Sequence, residues 1–224
     1  MHARARRLVA AGDLRHRARA PAKRTAEQSL ENHRNVGRIA AAAYNPDGEG
    51  MDTSDVIRAT RRYGNHLGVE FGTVYASAAI IADGTTPPDV EDSYSDYVPS
   101  ATPGCRAPHV WLGERETTLS TLDLFGAGFT VLTGSDGGIW REAAARAARA
   151  LEVPVASYAI GAPGLADRDG AFFDRYGIAS DGAVMVRPDG YVAWRSPSAS
   201  ADDGPRVVVP VRGLGPRVGE RNRA

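Results

Sequence analysis

The chain has 224 residues, with 27 Lys or Arg balanced by 27 Asp or Glu. Zero formal charge excludes a whole-protein affinity for nucleic acid or an anionic membrane surface, and the single cysteine, Cys105, excludes an internal disulfide framework, a CxxC redox pair and a multi-cysteine zinc site. The five histidines show no HxxxH or HExxH spacing, so no metal site is expected. No apolar run approaches the roughly 20 residues of a membrane helix, and a cytoplasmic location is expected.

Residues 1–24 carry eight Arg or Lys against one acid, Asp13, and are expected to be a poorly ordered basic segment. Thr25 to Tyr44 reads as a helix, because Ala26, Leu30, Val36, Ile39 and Ala43 recur at roughly helical spacing, and Asn45-Pro46-Asp47-Gly48 stops it. Asp52 or Thr53 caps the next helix, an amphipathic one in which Val56, Ile57, Thr60, Tyr63 and Leu67 share a face and Arg58, Arg61 and Arg62 point elsewhere. Val69 to Ala82 is rich in β-branched and aromatic residues and reads as one or two strands ending at Asp83-Gly84. These elements make a body of residues 25–84. Thr85 to Pro108 holds five prolines and four acids, the composition of a surface-hugging connector, and a domain boundary is placed there.

From His109 strands and helices alternate, the pattern of an α/β layer. Phe129 to Thr133 is a strand, Ile139 to Leu151 a helix, Val153 to Ile160 a strand and Asp169 to Tyr176 a short helix. Ala183 to Arg187 and Tyr191 to Arg195 form a hairpin turned by Pro188-Asp189-Gly190. Trp140, Phe129, Leu132, Val184 and Val186 are expected to meet between sheet and helix, with Tyr176, Tyr191 and Trp194 as further core or interface aromatics. This order over residues 109–195 is the layout of a thioredoxin-like domain. Redox members carry a reactive cysteine at the turn after the first strand; here the turn reads Ser135-Asp136-Gly137-Gly138, so the domain is redox-silent. Residues 196–224, rich in Pro, Gly and Arg, are expected to be a poorly ordered tail.

Five segments in order carry a family resemblance: Thr-Ala-Glu-Gln-Ser-Leu-Glu-Asn (25–32), Leu-Gly-Val-Glu-Phe-Gly-x-x-Tyr-Ala-Ser-Ala-Ala-Ile (67–80), Pro-Gly-Cys-Arg-Ala-Pro-His-Val-Trp-Leu (103–112), Ser-Thr-Leu-Asp-Leu-Phe-Gly (120–126) and Val-Arg-Pro-Asp-Gly-Tyr-Val-Ala-Trp-Arg (186–195). Together they resemble the C-terminal part of FAD-dependent aromatic ring hydroxylases, the class A flavoprotein monooxygenases acting on phenols and polyketides. The resemblance implies an α/β chain: a cysteine-less thioredoxin-like C-terminal domain preceded by a helical segment and strands left from the flavoprotein's substrate and FAD region. It implies FAD and NAD(P)H as cofactors of the full-length family. This chain has no GxGxxG turn, and Gly12-Asp13-Leu14-Arg15-His16 only imitates the family's third flavin motif. Neither cofactor is therefore expected on this chain alone, and a C-terminal fragment, inactive by itself, is expected.

Arg106 and His109, on a turn rigidified by Pro103, Gly104 and Pro108, are candidates to face a flavin or an aromatic substrate; alternatively, Arg106 caps carbonyls or pairs with a connector acid, and His109 is a satisfied hinge residue packing beside Trp111. Tyr75, with Ser77, is a candidate to line the substrate pocket, or packs in the core or at an edge. Expected partners are the missing N-terminal FAD-binding half or a second copy of the chain, with no nucleic acid and no membrane. The alternative is a stand-alone thioredoxin-like module for dimerisation or docking on a partner.

Overall fold

A computed structural model of the chain describes residues 21–37, 40, 41, 44, 53–77, 79–114 and 118–199. The expectations for residues 1–20 and for the tail from 200 onward lie outside the described residues, as do Ile39 and Ala43. The chain forms two compact units: the described residues up to Tyr75 with Pro87–Pro99, and Ala76–Thr86 with the described residues from Ser100.

The first unit contains helix α1 (residues 21–37), α2 (Thr53–Gly64) and the single turn α3 (Leu67–Glu70). Its most buried side chains are polar, beside one aromatic pair, Phe71 and Tyr97, with ring centres 5.6 Å apart. On α1, Gln28 and Asn35 are buried and Glu31 and Asn32 half-buried, whereas Leu30 and Val36 are exposed. On α2, Ile57 and Tyr63 are exposed while Arg62 turns inward. Arg62 donates through Nε to Asp92 at 2.8 Å and through Nη1 to Glu31 at 3.2 Å, and Arg61 reaches Asp96 at 2.5 Å. The guanidinium of Arg62 stands 4.6 Å from the centre of the Tyr94 ring, and that of Arg24 5.1 Å from it. Asn32 accepts from the Gln28 amide at 2.6 Å and sits 3.1 Å from Nε2 of His66. The loop 87–99 is thus held by cations from two helices.

The strand expectation for residues 69–82 is corrected: Val69 and Glu70 end a helical turn, and no described residue from Phe71 to Ala82 is in a strand. β-rich composition makes a strand only where a neighbouring ladder accepts it. Here the N–H groups go elsewhere, from Ala79 and Ile80 to Ser77 and from Ile81 to the Ala193 carbonyl at 2.8 Å.

In the second unit, β1 (Trp111–Leu112) pairs antiparallel with β2 (Leu119–Ser120), followed by a 3₁₀ turn over Thr121–Leu124. Ser120 and Asp123 close that turn as a reciprocal capping box. The main sheet has the order β4-β3-β5-β6, built from β3 (Phe129–Thr133), β4 (Val155–Ala159), β5 (Ala183–Val186) and β6 (Val192–Ser196). β3 runs parallel to β4, with α4 (Gly138–Leu151) between them in sequence, and antiparallel to β5, which pairs with β6. This is the thioredoxin-like arrangement, with α5 (Phe172–Tyr176) leading into β5. Asp167 starts α5 by accepting the N–H groups of Ala171 and Phe172.

Two apolar clusters form, one on each face of the sheet. Val131, Trp140, Ala144, Met185 and Ala193 make one, with Phe129 against it. Leu132, Val184, Val186, Val192, Phe172 and Tyr176 make the other. The expectation that Leu132, Val184 and Val186 join Trp140 is corrected, because successive strand residues point to opposite faces and only Phe129 shares its face. Trp140 is buried, donates Nε1–H to the Asp181 carbonyl at 2.8 Å and lies 5.1 Å from Trp194.

Residues 101–105, 107 and 108 are buried, which corrects the surface-hugging reading of this stretch. The segment lies along β6: Gly104 N–H donates to Val192 O, Val192 N–H to Cys105 O and Ala107 N–H to Gly190 O, each at 2.9 Å. It covers the sheet edge that β6 would otherwise leave unpaired.

Candidate functional site

At the position where redox relatives of this fold carry a thiol, the turn between β3 and α4 holds Ser135, Asp136, Gly137 and Gly138. Asp136 N–H donates to the Ser180 carbonyl at 3.0 Å, and Arg141 Nη1 donates to Thr133 Oγ1 at 2.6 Å. A side chain at Gly134 would collide with the backbone of Ser180. A dinucleotide phosphate needs free N–H donors and open space at such a turn. This turn is closed by its own chain and bears the Asp136 carboxylate, so the residues present do not fit the FAD pyrophosphate.

Cys105 is the one thiol. It is buried, and burial pushes its pKa up to about 11, against a smaller downward pull from Arg195. Such a group stays protonated and inert at neutral pH.

The three residues singled out in the sequence are not brought together within one unit. Arg106 and His109 belong to the second unit and Tyr75 to the first. Arg106 bridges antiparallel to Tyr191 through its backbone. His109 Nδ1 lies 2.7 Å from Ser120 Oγ, its ring meets Trp111 edge-on at 4.5 Å, and its carbonyl accepts from Arg175 at 2.8 Å. Beside it, the Pro108 carbonyl accepts both the Tyr176 hydroxyl at 2.7 Å and the Thr121 hydroxyl at 2.8 Å. Segment 104–111 is therefore pinned from the hairpin, from α5 and from the 3₁₀ turn.

A polar centre that the sequence reading missed lies nearby. Arg195 on β6 is buried and donates through Nε to Asp83 at 2.7 Å, through Nη2 to the Thr85 hydroxyl at 2.8 Å and through Nη1 to the Tyr176 carbonyl at 3.3 Å. The side chains of Arg195 and Asp83 are 8% and 7% exposed, so the pair is a buried one. A Cβ at Gly177 would come within 2.6 Å of this guanidinium, and Gly177 also ends α5 at φ 62°, so glycine is required twice over. Burial pushes the Asp83 carboxyl up, but hydrogen bonds from the Thr85 hydroxyl and N–H and from Arg195 outweigh it and hold the group below the ordinary carboxylate range. The available signal was Arg195 itself, a charge inside a run of buried strand residues that demands a buried acid. In the sequence Asp83 marks only the end of an apolar run.

Among the described residues, no group of three or more His, Cys, Asp or Glu side chains could hold a metal ion, and no helix is long and apolar enough to cross a membrane.

Comparison with known proteins adds the following. The family model described as aromatic-ring hydroxylase, C-terminal, matches residues 100–209. Aklavinone 12-hydroxylase RdmE of Streptomyces purpurascens is 46% identical over 131 residues, covering 58% of this chain and 24% of that protein. The 2,4-dichlorophenol 6-monooxygenase of Delftia acidovorans is 37% identical over 167 residues, covering 73% of this chain and 28% of that protein. The crystal structure of a ternary complex of aklavinone-11 hydroxylase with FAD and aklavinone superposes with a TM-score of 0.53 at 43% identity, over 62% of this chain and 25% of that one. The chain thus spans about a quarter of the length of the relatives it matches.

Proposed function

The chain carries, in residues 100–209, the C-terminal domain of the aromatic-ring hydroxylases, and on that premise we propose that it is the redox-silent C-terminal portion of an FAD-dependent monooxygenase. Its substrate class is a phenolic or polyketide aromatic, and NAD(P)H is the reductant. The flavin belongs to a segment other than these residues, and this chain is inactive without it.

One observation supports the reading above the others: the β3–α4 turn, the position of chemistry in redox members of the fold, is sealed by Ser180 and Arg141 and has no thiol. Cys105 is buried in a pinned segment and cannot replace it. The domain supplies shape: a sheet with both faces packed, its β6 edge covered by 104–107, and a buried Arg195–Asp83 pair fastening 83–85. In this reading His109 helps to hold segment 104–111 in place rather than meeting a flavin.

The test is turnover. The chain supplied with FAD, NADPH and aklavinone is expected to give no hydroxylated product. Addition of the part of the aklavinone-11 hydroxylase that this chain does not cover is expected to give product heavier by one oxygen atom. Turnover by the chain alone, or none after the addition, would overturn the reading.

A further inference from the structure

The two edges of the main sheet are finished differently. At β6 the segment 104–107 supplies backbone partners through Gly104, Cys105 and Ala107. At β4 nothing among the described residues does so. The Pro154 carbonyl accepts from Phe129 N–H, and Ile160 N–H donates to the Thr133 carbonyl, both towards β3. The backbone groups of successive strand residues point to opposite sides. Those of Ala156 and Tyr158 therefore face β3, and those of Val155, Ser157 and Ala159 face away from it. In this outward row only the Ala159 carbonyl has a backbone partner, the Ala162 N–H at 3.3 Å. A charge, a bulge or an internal proline usually blunts such an edge. Here Val153 to Ala166 holds no charged residue, β4 itself has no proline, and all five of its residues keep register with β3.

We propose that the β4 edge is a self-association surface, on which a second copy of this chain pairs its own β4 antiparallel and joins two four-stranded sheets edge to edge. The strand itself selects a second copy. A two-fold axis at Ser157 sets the outward N–H and C=O of Ser157 opposite the same groups of the other copy, and those of Val155 opposite those of Ala159, so every outward donor meets an acceptor. The same register puts Ala156, small and exposed, opposite Tyr158, large and half-buried, so the side chains interdigitate. A two-fold also sets like beside like, and a run without charge meets its own copy without repulsion, while it offers a charged peptide no counter-charge. An edge of five residues is smaller than a standard interface, which buries at least about 1,200 Å², so the pair forms reversibly, at chain concentrations of about 0.1 mM.

The test follows the full chain, unaltered and as Ser157→Pro or Ala156→Lys, by sedimentation and amide hydrogen exchange between about 1 µM and about 0.3 mM. Ser157→Pro removes an N–H that points away from β3 and leaves the β3–β4 ladder in place. Ala156→Lys sets a charge at an exposed position of the edge. The unaltered chain is expected to pass from monomer to dimer over this range. Its Val155, Ser157 and Ala159 amides are expected to exchange at least about fivefold more slowly at the upper concentration, while those of Ala156 and Tyr158, already bonded to β3, change little. Each variant, its circular dichroism unchanged, is expected to dimerise at least about tenfold more weakly. If Ser157→Pro does not fold, Ala156→Lys alone decides. A monomer at every concentration, equal dimerisation by Ala156→Lys, or a dimer without slowed exchange at the three outward amides overturns the proposal; the last of these gives the association to another surface.

Discussion

Arg195 and Asp83 show how one pair of residues decides the order of a segment. Removing the acid alone leaves a buried guanidinium without its counter-charge, so Asp83→Ala is expected to cost about 3–5 kcal/mol, read as a lowered urea midpoint. The lowered pKa of Asp83 sets a pH signature as well. The unfolded carboxyl takes up its proton first as the pH falls, so the native advantage is complete above the ordinary carboxylate range, around pH 4, and drains as the pH falls through the lowered native value. Urea midpoints should therefore drop more steeply into acid for the unaltered chain than for Asp83→Asn; parallel curves would show that the pair carries no such linkage. At Cys105 burial raises the thiol to about 11. A disulfide reagent at pH 8 is then expected to label it only as fast as the chain opens, and immediate labelling in native buffer would place the thiol at the surface.

Among the elements, those with a strong internal period were legible. Phe129–Thr133 has the bounds read from its apolar run, and α4 and the β5–β6 hairpin came within a residue or two, because alternation and helical spacing are local properties. Segment 101–108 was not legible. Its prolines and glycine read as a surface connector, whereas backbone hydrogen bonds from the β6 hairpin bury it, and such partners have no signature in the segment's own composition. The same holds for 69–82, where β-branched residues find no ladder. In α1 and α2 the spacing showed that apolar residues share faces, but not that Arg62, Gln28 and Asn35 would be the ones turned inward. His109 meets Trp111, two residues away in sequence, whereas the Asp83–Arg195 pair spans a separation no local pattern encodes. The packing of α4 on the sheet has a direct test. Trp140→Ala removes the largest buried side chain of its cluster and is expected to cost about 3–5 kcal/mol, with the melting temperature as readout; an unchanged value would put the indole outside the core.

Over the whole molecule, the two units are built on different principles. The second has two apolar clusters around a four-stranded sheet and every feature of a self-sufficient domain. The first holds its described helices largely by charge and amide contacts and leaves Leu30, Val36, Ile57 and Tyr63 exposed. The β3–α4 turn is closed by its own chain, in line with the proposal that the chain serves a flavin enzyme without itself holding the flavin. Micromolar affinity takes about 8 kcal/mol, which a few surface hydrogen bonds at about 1 kcal/mol each do not supply. The most direct measurement is a titration of FAD with the purified chain, followed by flavin fluorescence. No saturable change up to micromolar chain and a colourless protein after gel filtration are expected; a saturating change, or a yellow protein that keeps its visible absorbance through the column, would contradict the proposal.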